Sequence, residues 1–569
     1  MFKRTVFPVL FIALCLGCKK KETPVHTVIG GGGTTLKDST NTQQISVLTQ
    51  HNDNTRAGWN SQETALTPAN VNTSTFGKLF SLSVDDQVYS QPLVVGGLNM
   101  GSQTRNVVFI ATVNNSVYAF DADNGKLFWK NNYTASGMRP PNSADMASSW
   151  CSPYTDFKNN IGIVGTPVID PAGKTIYFVA RSTDGKTWVQ NLHAVNIVTG
   201  SEQPGSPVLL AASVPGTGDG NVNGVVSFDP LHNNQRMGLA LVNGVVYISF
   251  ASHCDWNPYH GWILGYDAKT LQQTNVYNDT PSGENGGIWE SGMGIAADGQ
   301  GNLYVTTGNG TVGQGNLYQT TGNGTDENSP NPNPTDLTNR GNSALKLTPS
   351  GKNLQVASYF TPTNYVDLNV NDLDYGVMGT FLIPNSNYFV TGCKDGNLYL
   401  LNKDNMGGYS AAGNTVAQVV PINNSMHCQP SYFKGANGEY IYIWSENDQL
   451  KSFTFSNGQF ALTPTTSSEA GPGGDCGAEL TVSSNGSSNG ILWAWYASAG
   501  DAGPNVLPGV LRAFDANDVT KELWNSSKVA GDFPGNYAKY CCPTVANGKV
   551  YVGTFSNQVI VYGLKSNFH

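Results

Sequence analysis

The sequence predicts an all-β protein, a single eight-bladed β-propeller of four-stranded antiparallel blades that is closed by an N-terminal strand completing the last blade. Three observations predict this fold. One strand-rich unit recurs eight times along the chain. Charged residues make up only 12% of the chain, whereas 65 glycines and 29 prolines supply many turns. The last unit lacks its final strand, and an unassigned strand precedes the first unit.

The repeating unit is clearest from Val107 to Lys130. It has an alternating apolar strand, a short turn, a second strand that ends in an Asp-centred turn, and a third strand that ends in Trp129. A further apolar segment, such as Gln91 to Val95, precedes each unit and gives four strands per blade. In the turn, Asp121 accepts backbone amides and Gly125 takes a positive φ. The other units lie at Thr175 to Gly200, Val245 to Tyr277, Asn302 to Phe360, Tyr388 to Met406, Tyr440 to Leu462, Ile491 to Trp524 and Val550 to Leu564.

Ring closure explains the unpaired strands at the two ends. The segment from Lys78 to Val84 precedes the first unit, and the last unit ends at Leu564 with three strands. Pairing these segments removes the exposed edges that invite aggregation. Trp129 and Trp524 end their outer strands, and we expect them to wedge between neighbouring blades, where an indole buries a large apolar area.

The N-terminus has the pattern of an export signal, assigned to residues 1–17. Lys3 and Arg4 form a basic start, and an apolar stretch over residues 6–16 is too short to span a bilayer. We therefore expect the body of the protein, residues 45–569, to lie outside the cytoplasm.

Cys18 is the expected lipid anchor. It follows Leu16 and Gly17 and precedes three lysines, which resembles the lipobox of bacterial lipoproteins. Because Cys15 stands where the lipobox usually has leucine, a plain secretory signal is the alternative. Residues 18–44 are polar and rich in glycine, so they are expected to form a flexible tether to the outer membrane, on its periplasmic or surface side.

The composition of the chain also limits the kinds of partner that the protein can bind. The formal net charge is -9, and the body has no basic stripe interleaved with aromatics, so a nucleic acid would meet net repulsion. No other apolar run is long enough to span a bilayer, which leaves the lipid anchor as the expected membrane contact. We expect a monomer that binds a small molecule, a glycan or a protein at one face.

A family resemblance rests on the motif Ala-Phe-Asp-Ala-x-x-Gly-Lys-x-x-Trp. It occurs from Ala119 to Trp129 and, in altered form, from Ala513 to Trp524. This motif resembles the tryptophan-docking repeat of quinoprotein alcohol dehydrogenase-like propellers, which carry the pyrroloquinoline-quinone (PQQ) repeat. The stretches 66–72, 258–262 and 544–551 resemble secreted bacterial PQQ-repeat propellers that generally lack an assigned function. The resemblance covers nearly all of the chain after residue 45 and supports the fold more than the function.

The resemblance implies that one face of the propeller binds ligands, because each innermost strand begins there and the loop between second and third strands returns there. All seven cysteines after Cys18 fall at such positions, together with His253, His260 and His427. Three interpretations stay open for the cysteines: disulfides, including a vicinal Cys541–Cys542 bond; a copper or zinc site; or scattered small apolar side chains. The candidate metal ligands are Cys254, Cys428, Cys476, Cys541 and Cys542.

Several polar and aromatic side chains are candidates for a ligand site on that face. Trp289 offers a surface for a planar ligand, Arg236 suits a carboxylate, and Glu290 suits a cation or a proton. Glu290 and Asp475 are the candidate catalytic residues. Each of these residues also has a structural interpretation, in which it packs or hydrogen-bonds at a blade's inner edge. The ligand-binding candidates together are Arg236, His253, His260, Trp289, Glu290 and His427.

Three functions follow. The first is a binding or scaffolding lipoprotein. The second is a PQQ-dependent dehydrogenase of alcohols or sugars that uses PQQ with Ca²⁺, as the resemblance implies, although its set of catalytic residues is not recognisable here. The third is a metal-handling protein that uses the Cys and His face. A low-complexity loop from Gly308 to Arg340 interrupts the fourth blade and is expected to cover the face or be mobile.

Overall fold

A computed structural model describes residues 44–146, 152–314 and 333–565. The expected signal peptide, the anchor Cys18, nearly all of the tether, Cys151 and the middle of the loop from Gly308 to Arg340 lie outside these residues. Within the described ranges, no helix has both the length and the apolar character needed to cross a membrane.

Four-stranded antiparallel sheets make up most of the described chain, and consecutive strands pair within each sheet. We number the sheets in chain order. Sheet 1 contains Leu93–Asn99, Thr104–Ala111, Ser116–Asp121 and Leu127–Asn132; sheet 2 contains Val168–Asp170, Thr175–Thr183, Trp188–Asn196 and Val208–Leu209; sheet 3 contains Ala240–Val242, Val245–Ser252, Trp262–Asp267 and Gln273–Asn278; sheet 4 contains Ala296–Ala297, Leu303–Thr306, Ala344–Ser350 and Asn353–Phe360.

The second half of the chain repeats this arrangement. Sheet 5 contains Thr380–Leu382, Tyr388–Gly392, Asn397–Asn402 and Gln418–Pro421; sheet 6 contains Ser431–Gly435, Gly438–Ile443 and Gln449–Ser456, with Gln459–Phe460 and Thr465–Ala470 on its outer strand; sheet 7 contains Glu479–Asn485, Ser488–Ala497, Gly509–Asp515 and Asp518–Asn525; sheet 8 contains Thr544–Ala546, Lys549–Gly553, Gln558–Leu564 and Phe76–Ser83. The chain therefore has the strand content and sheet pattern of a β-propeller.

Short elements complete the described structure. A single bridge between Val276 and Asn353 joins sheets 3 and 4. The helices are Tyr365–Val370 and three short 3-10 helices at Ser143–Met146, Glu290–Gly292 and Ser526–Lys528, and the remaining strands are Trp59–Asn60, Ser213–Pro215, Val225–Ser227 and Asn233–Asn234.

The predicted N-terminal strand is present. Phe76–Ser83 pairs antiparallel with Gln558–Leu564 and completes sheet 8. Phe76 is fully buried, and its ring centre lies 5.4 Å from that of Trp493 and 5.1 Å from that of Trp524. The two ends of the folded body are therefore joined by backbone hydrogen bonds and by aromatic packing.

The predicted tryptophan wedges are also confirmed. Trp129 of sheet 1 donates its indole N–H to the carbonyl of Ile197 beside sheet 2, at 3.1 Å. Trp524 of sheet 7 packs against Tyr562 of sheet 8, with ring centres 5.3 Å apart. Each indole therefore joins neighbouring sheets from the outermost strand of its own sheet.

Residues 45–60, to which the sequence analysis assigned no strand, contact every sheet in turn. We call this segment the inner strap. Its backbone or side-chain groups bond to the first strand of each sheet, in chain order. The contacts are Val47 to Val94, Leu48 to Ile169, Asn54 to both Leu241 and Ala297, Thr55 to Leu382, Ala57 to Tyr432, Gly58 to Val482, and Asn60 to Val545.

Arg56 fixes the middle of the inner strap. Its guanidinium is fully buried and donates to the carbonyl oxygens of Gln50 at 2.7 Å, Leu239 at 3.1 Å and Ile295 at 3.0 Å, and to the hydroxyl of Thr49 at 2.7 Å. Burial lowers the pKa of Arg56 to about 10. One side chain thus joins the strap to sheets 3 and 4.

Candidate functional site

The segments that enter the first strands of the sheets converge on a cavity of about 160 Å³. Because every sheet supplies at least one lining residue from such a segment, we call it the central cavity. Representative lining residues are Tyr89, Thr166, Arg236, Trp289, His427 and Tyr540. The resemblance implied that ligand sites lie where first strands begin, and the central cavity, which is lined by polar and aromatic side chains, has that position.

The structure brings together five of the residues that the sequence analysis singled out. Arg236, Cys254, Trp289, His427 and Asp475 all line the central cavity. Other candidates do not line it. His253, His260, Glu290, Cys428, Cys476, Cys541 and Cys542 lie outside its lining and are buried.

Arg236 lies between two aromatic rings. Its guanidinium carbon is 5.1 Å from the ring centre of Trp289 and 4.9 Å from that of Tyr540. Its Nε donates to the carbonyl of Trp289 at 3.1 Å. Gln429 fixes the spacing of the flanking segments, because its Nε2 donates to the carbonyls of both Ser291 and Tyr540. The stacked guanidinium is therefore held in place before any ligand arrives.

The two terminal nitrogens of Arg236 have no hydrogen bond or ion pair with any described residue, although the side chain is half-buried in the cavity wall. A guanidinium presents these N–H groups as a planar fork that matches a carboxylate or phosphate. The arrangement can therefore bind an anion with two parallel hydrogen bonds.

Charged groups of both signs form the rest of the wall. Lys394 bridges two carboxylates, with Nζ 2.7 Å from Asp374 and 3.1 Å from Asp372. Asp255 accepts from the Tyr259 hydroxyl at 2.6 Å, and burial together with the Asp374 carboxylate raises the pKa of Asp255 to about 7. The cavity consequently presents hydrogen-bond donors and acceptors in close proximity, as a site for a small polar ligand requires.

His427 meets two carboxylates on the same wall. Its Nδ1 lies 2.6 Å from Glu446 Oε1 and 3.4 Å from Asp475 Oδ1. Burial lowers the pKa of His427, but the carboxylates of Asp475 and Glu446 outweigh burial and raise the pKa above its ordinary value. Burial conversely raises the pKa of Asp475, whereas His427 and the backbone amide of Cys476 bring it below its ordinary value.

The imidazoles of His253 and His260 make hydrogen bonds to other residues of the protein. His253 contacts the Tyr154 hydroxyl at 2.8 Å and the guanidinium of Arg181, and burial followed by the charge of Arg181 lowers its pKa. His260 contacts the Thr280 hydroxyl at 2.8 Å and the carbonyl of Asp219 at 3.0 Å. Both imidazoles therefore have structural partners behind the cavity.

Glu290 is fully buried beside the central cavity. Its Oε1 accepts from the backbone N–H of Thr306 at 3.0 Å, and Oε2 has no hydrogen-bond partner among the described residues. Burial raises the pKa of Glu290 to about 8, against the opposing hydrogen bonds from Thr306. The group is a neutral carboxylic acid below that pH, which suits a packed interior better than a cation ligand.

Among the described cysteines, the disulfides that were one interpretation of the sequence are found only at Cys254. Five of these cysteines are free thiols in the described structure, and the vicinal bond between Cys541 and Cys542 is not formed. Cys254 is disulfide-bonded. Burial raises the pKa of the free thiols, which makes them poor metal ligands and poor nucleophiles. Four of these thiols belong to hydrophobic clusters, and the Cys542 thiol donates to Gln91 Oε1 at 3.0 Å.

Four functional candidates were missed from the sequence. Tyr540 and Lys539 directly precede the Cys541–Cys542 pair, and Lys394 and Glu446 lie in loops between second and third strands. The rule that first strands begin on the ligand face, applied to all polar residues instead of mainly to cysteines and histidines, would have found Lys539 and Tyr540. Lys394 and Glu446 would have been found by the companion rule, which places the loops between second and third strands on the same face.

Comparison with solved structures shows the fold. Quinohemoprotein alcohol dehydrogenase ADHIIG from Pseudomonas putida HK5 matches with a TM-score of 0.53 at 14% identity, covering 92% of this chain and 81% of that chain. The quinohemoprotein alcohol dehydrogenase from Comamonas testosteroni matches with a TM-score of 0.53 at 14% identity, covering 91% and 80%. A europium-containing methanol dehydrogenase matches with a TM-score of 0.55 at 12% identity, covering 91% and 98%.

The sequence matches no protein-family model, and no curated protein is similar enough to match. At these identities the solved structures show a shared fold alone, so the class that they define for this chain is a β-propeller. The suspected resemblance is confirmed at that level. The activity of the neighbours is not transferred to this chain by the fold.

Proposed function

We propose that this chain is an exported, lipid-anchored binding protein, an eight-bladed β-propeller that captures a small organic anion in its central cavity. One observation carries the proposal: the guanidinium of Arg236 is stacked between Trp289 and Tyr540 with both terminal nitrogens unpartnered in the described structure. A carboxylate is the ligand group that satisfies this fork.

The blade count is supported by two observations. Each of the eight numbered sheets has its own first strand, and the inner strap contacts these strands in chain order. The pairing of Phe76–Ser83 with the last strands closes the series. A lipid anchor at Cys18 is supported by the sequence pattern, and it would tether a monomeric domain to the outer membrane.

Lys539 strengthens the preference for an anion. Its side chain is buried in the cavity wall, where Nζ donates to the carbonyl of Gly503. An ammonium group in a cavity wall is stabilised further when an anion binds beside it, because one neutral carbonyl oxygen does not balance its charge. Lys394, by contrast, is already neutralised by Asp372 and Asp374.

Calorimetric titration tests the proposal. The probes are lactate, malate, gluconate and PQQ, and the variants are Arg236→Gln and the matched control Arg105→Gln, which changes an arginine of sheet 1. We expect at least one probe to bind the wild type, and Arg236→Gln to weaken that binding about 10- to 100-fold, because a charged hydrogen bond contributes about 1.5–3 kcal/mol. Failure of every probe to bind, or unchanged binding by Arg236→Gln, contradicts the proposal.

A second candidate function is a PQQ-dependent dehydrogenase. PQQ is a planar quinone with several carboxylates, and the stacked Arg236 with the indole of Trp289 fits that chemistry in part. When bound, PQQ supplies a quinone that accepts the electrons removed from an alcohol or sugar. The Ca²⁺ ligand expected at Glu290 does not fit, because that carboxyl is buried outside the cavity lining. Reconstitution with PQQ and CaCl₂, followed by dye-linked oxidation of alcohols and aldoses, tests this function.

A further inference from the structure

We propose that His427, Glu446 and Asp475 form a binding site for a divalent transition-metal cation in the wall of the central cavity. One nitrogen and two carboxylate oxygens of these residues lie within 4.8 Å of one another. The donor set differs from the cysteine-based site considered from the sequence. It also shares no residue with the anion site proposed at Arg236.

The geometry argues for more than an ordinary ion pair. His427 Nδ1 carries one proton at most, yet two carboxylate oxygens approach it, Glu446 Oε1 at 2.6 Å and Asp475 Oδ1 at 3.4 Å, and the Ser425 hydroxyl, which can donate or accept, lies 3.2 Å away. A single N–H cannot serve both carboxylates well. A cation placed among them would be bound by the imidazole nitrogen and both carboxylates.

Separate elements present the three ligands. His427 precedes the first strand of sheet 6, Glu446 follows the second strand of that sheet, and Asp475 precedes the first strand of sheet 7. The loop and the two strand entries are tied together by backbone bonds from Glu446 to Ser425 and from Gly477 to His427. The ligand positions are thus set by the packing of two sheets, which suits a preorganised site.

The cavity supplies access and room for further ligands. His427 and Asp475 line it, with side chains 16% and 37% exposed, and Glu446 is 16% exposed behind them. Three protein ligands leave coordination positions open toward the cavity, as in sites that hold water or a small ligand on the metal. One imidazole and two carboxylates suit Zn²⁺, Mn²⁺ or Co²⁺ better than the softer Cu⁺.

Binding at this site has a proton balance. The cation replaces the proton shared between His427 Nδ1 and the carboxylates, and that proton leaves to the buffer. Calorimetry with ZnCl₂ in two buffers of different ionisation enthalpy measures the number of protons released. We expect one metal ion per chain, with release of protons on binding.

Conservative variants locate the site. Glu446→Gln and Asp475→Asn should each weaken Zn²⁺ affinity at least tenfold, because even outer contacts of a metal site cost about 10- to 100-fold when removed. Glu439→Gln, which changes a carboxylate on the same sheet that pairs with Lys434, is the matched control and should bind as the wild type.

A Co²⁺ spectrum of the wild-type protein provides a readout that does not depend on variants. Visible bands without a thiolate charge-transfer band support nitrogen and oxygen ligands. A thiolate band would place the metal at the cysteines and overturn the proposal, as would the absence of stoichiometric binding or unchanged affinity in both carboxylate variants. These outcomes are separate from the carboxylate titrations, which report on Arg236.

Discussion

Arg236 and Tyr540 are separated by 304 positions in the chain, yet the guanidinium of the first lies 4.9 Å from the ring centre of the second. Arg236 enters sheet 3 and Tyr540 enters sheet 8. The contact therefore forms across the cavity, between sheets that are not neighbours in sequence. It exists only when the sheets are correctly arranged around the inner strap.

Tyr540 is predicted to support ligand binding by holding Arg236. Tyr540→Ala removes one of the two rings that face the guanidinium, and we expect anion affinity to fall about 2- to 30-fold, since a cation–π contact contributes about 0.5–2 kcal/mol. Tyr540→Phe keeps the ring and should retain most of the affinity. Calorimetric titration of a probe that binds the wild type measures both variants. Equal affinity of Tyr540→Ala and wild type would show that the ring has no such role.

Arg56 is predicted to be essential for stability. Arg56→Lys keeps the charge but cannot reach all the oxygens that the guanidinium bonds, so buried carbonyls of Gln50, Leu239 and Ile295 lose partners. We expect the free energy of unfolding to fall by about 3 kcal/mol or more. Urea unfolding measures the change. A loss below about 0.5 kcal/mol, the range of ordinary surface substitutions, would contradict the role assigned to the inner strap.

The variant Phe76→Ala tests how much the closing strand contributes to stability. Phe76→Ala empties a fully buried site beside Trp493 and Trp524, and we expect a loss of about 3–5 kcal/mol in unfolding free energy. Leu127→Ala, at a side chain that is 45% exposed on an outer strand, is the control and should change stability little. Thermal and urea unfolding compare the two. Similar small effects would mean that the closing strand contributes little to the fold.

The raised pKa of Glu290 predicts that the stability of the protein depends on pH. Its pKa is raised to about 8 in the folded protein from an ordinary value of 4.5, so the folded state binds more protons than the unfolded state between these pH values. The stabilisation is complete below pH 4.5 and is lost as the pH rises toward 8, by on the order of 4 kcal/mol. In Glu290→Gln this loss should be absent. Guanidinium chloride unfolding at pH 5, 7 and 9 measures the difference, and parallel pH profiles would refute the assignment.

Much of the fold was predictable from the sequence because its strands alternate and its turns use Asp and Gly at regular positions. Trp129 lies between sheets, as the repeat predicts, and the predicted closing segment from Lys78 to Val84 overlaps the observed strand Phe76–Ser83. The inner strap was not predictable, because most of its bonds to the sheets use backbone groups that carry no residue-type signal. Arg56 is visible in the sequence only as an isolated arginine.

The candidate site was predictable in part. Arg236, Trp289, His427 and Asp475 were identified because they precede first strands, and the structure places all four around one cavity. Glu290 follows Trp289 directly but is buried behind the cavity, since a local 3-10 turn directs it toward Thr306. The direction of a side chain at a strand entry depends on this local geometry, which spacing along the sequence does not specify.

A crystal structure of the protein with a bound organic acid tests the central claim most directly. Two carboxylate oxygens should lie about 2.7–2.9 Å from the terminal nitrogens of Arg236, inside the central cavity. A ligand carboxylate bound elsewhere, with Arg236 still stacked between Trp289 and Tyr540 and without an anion, would contradict the account.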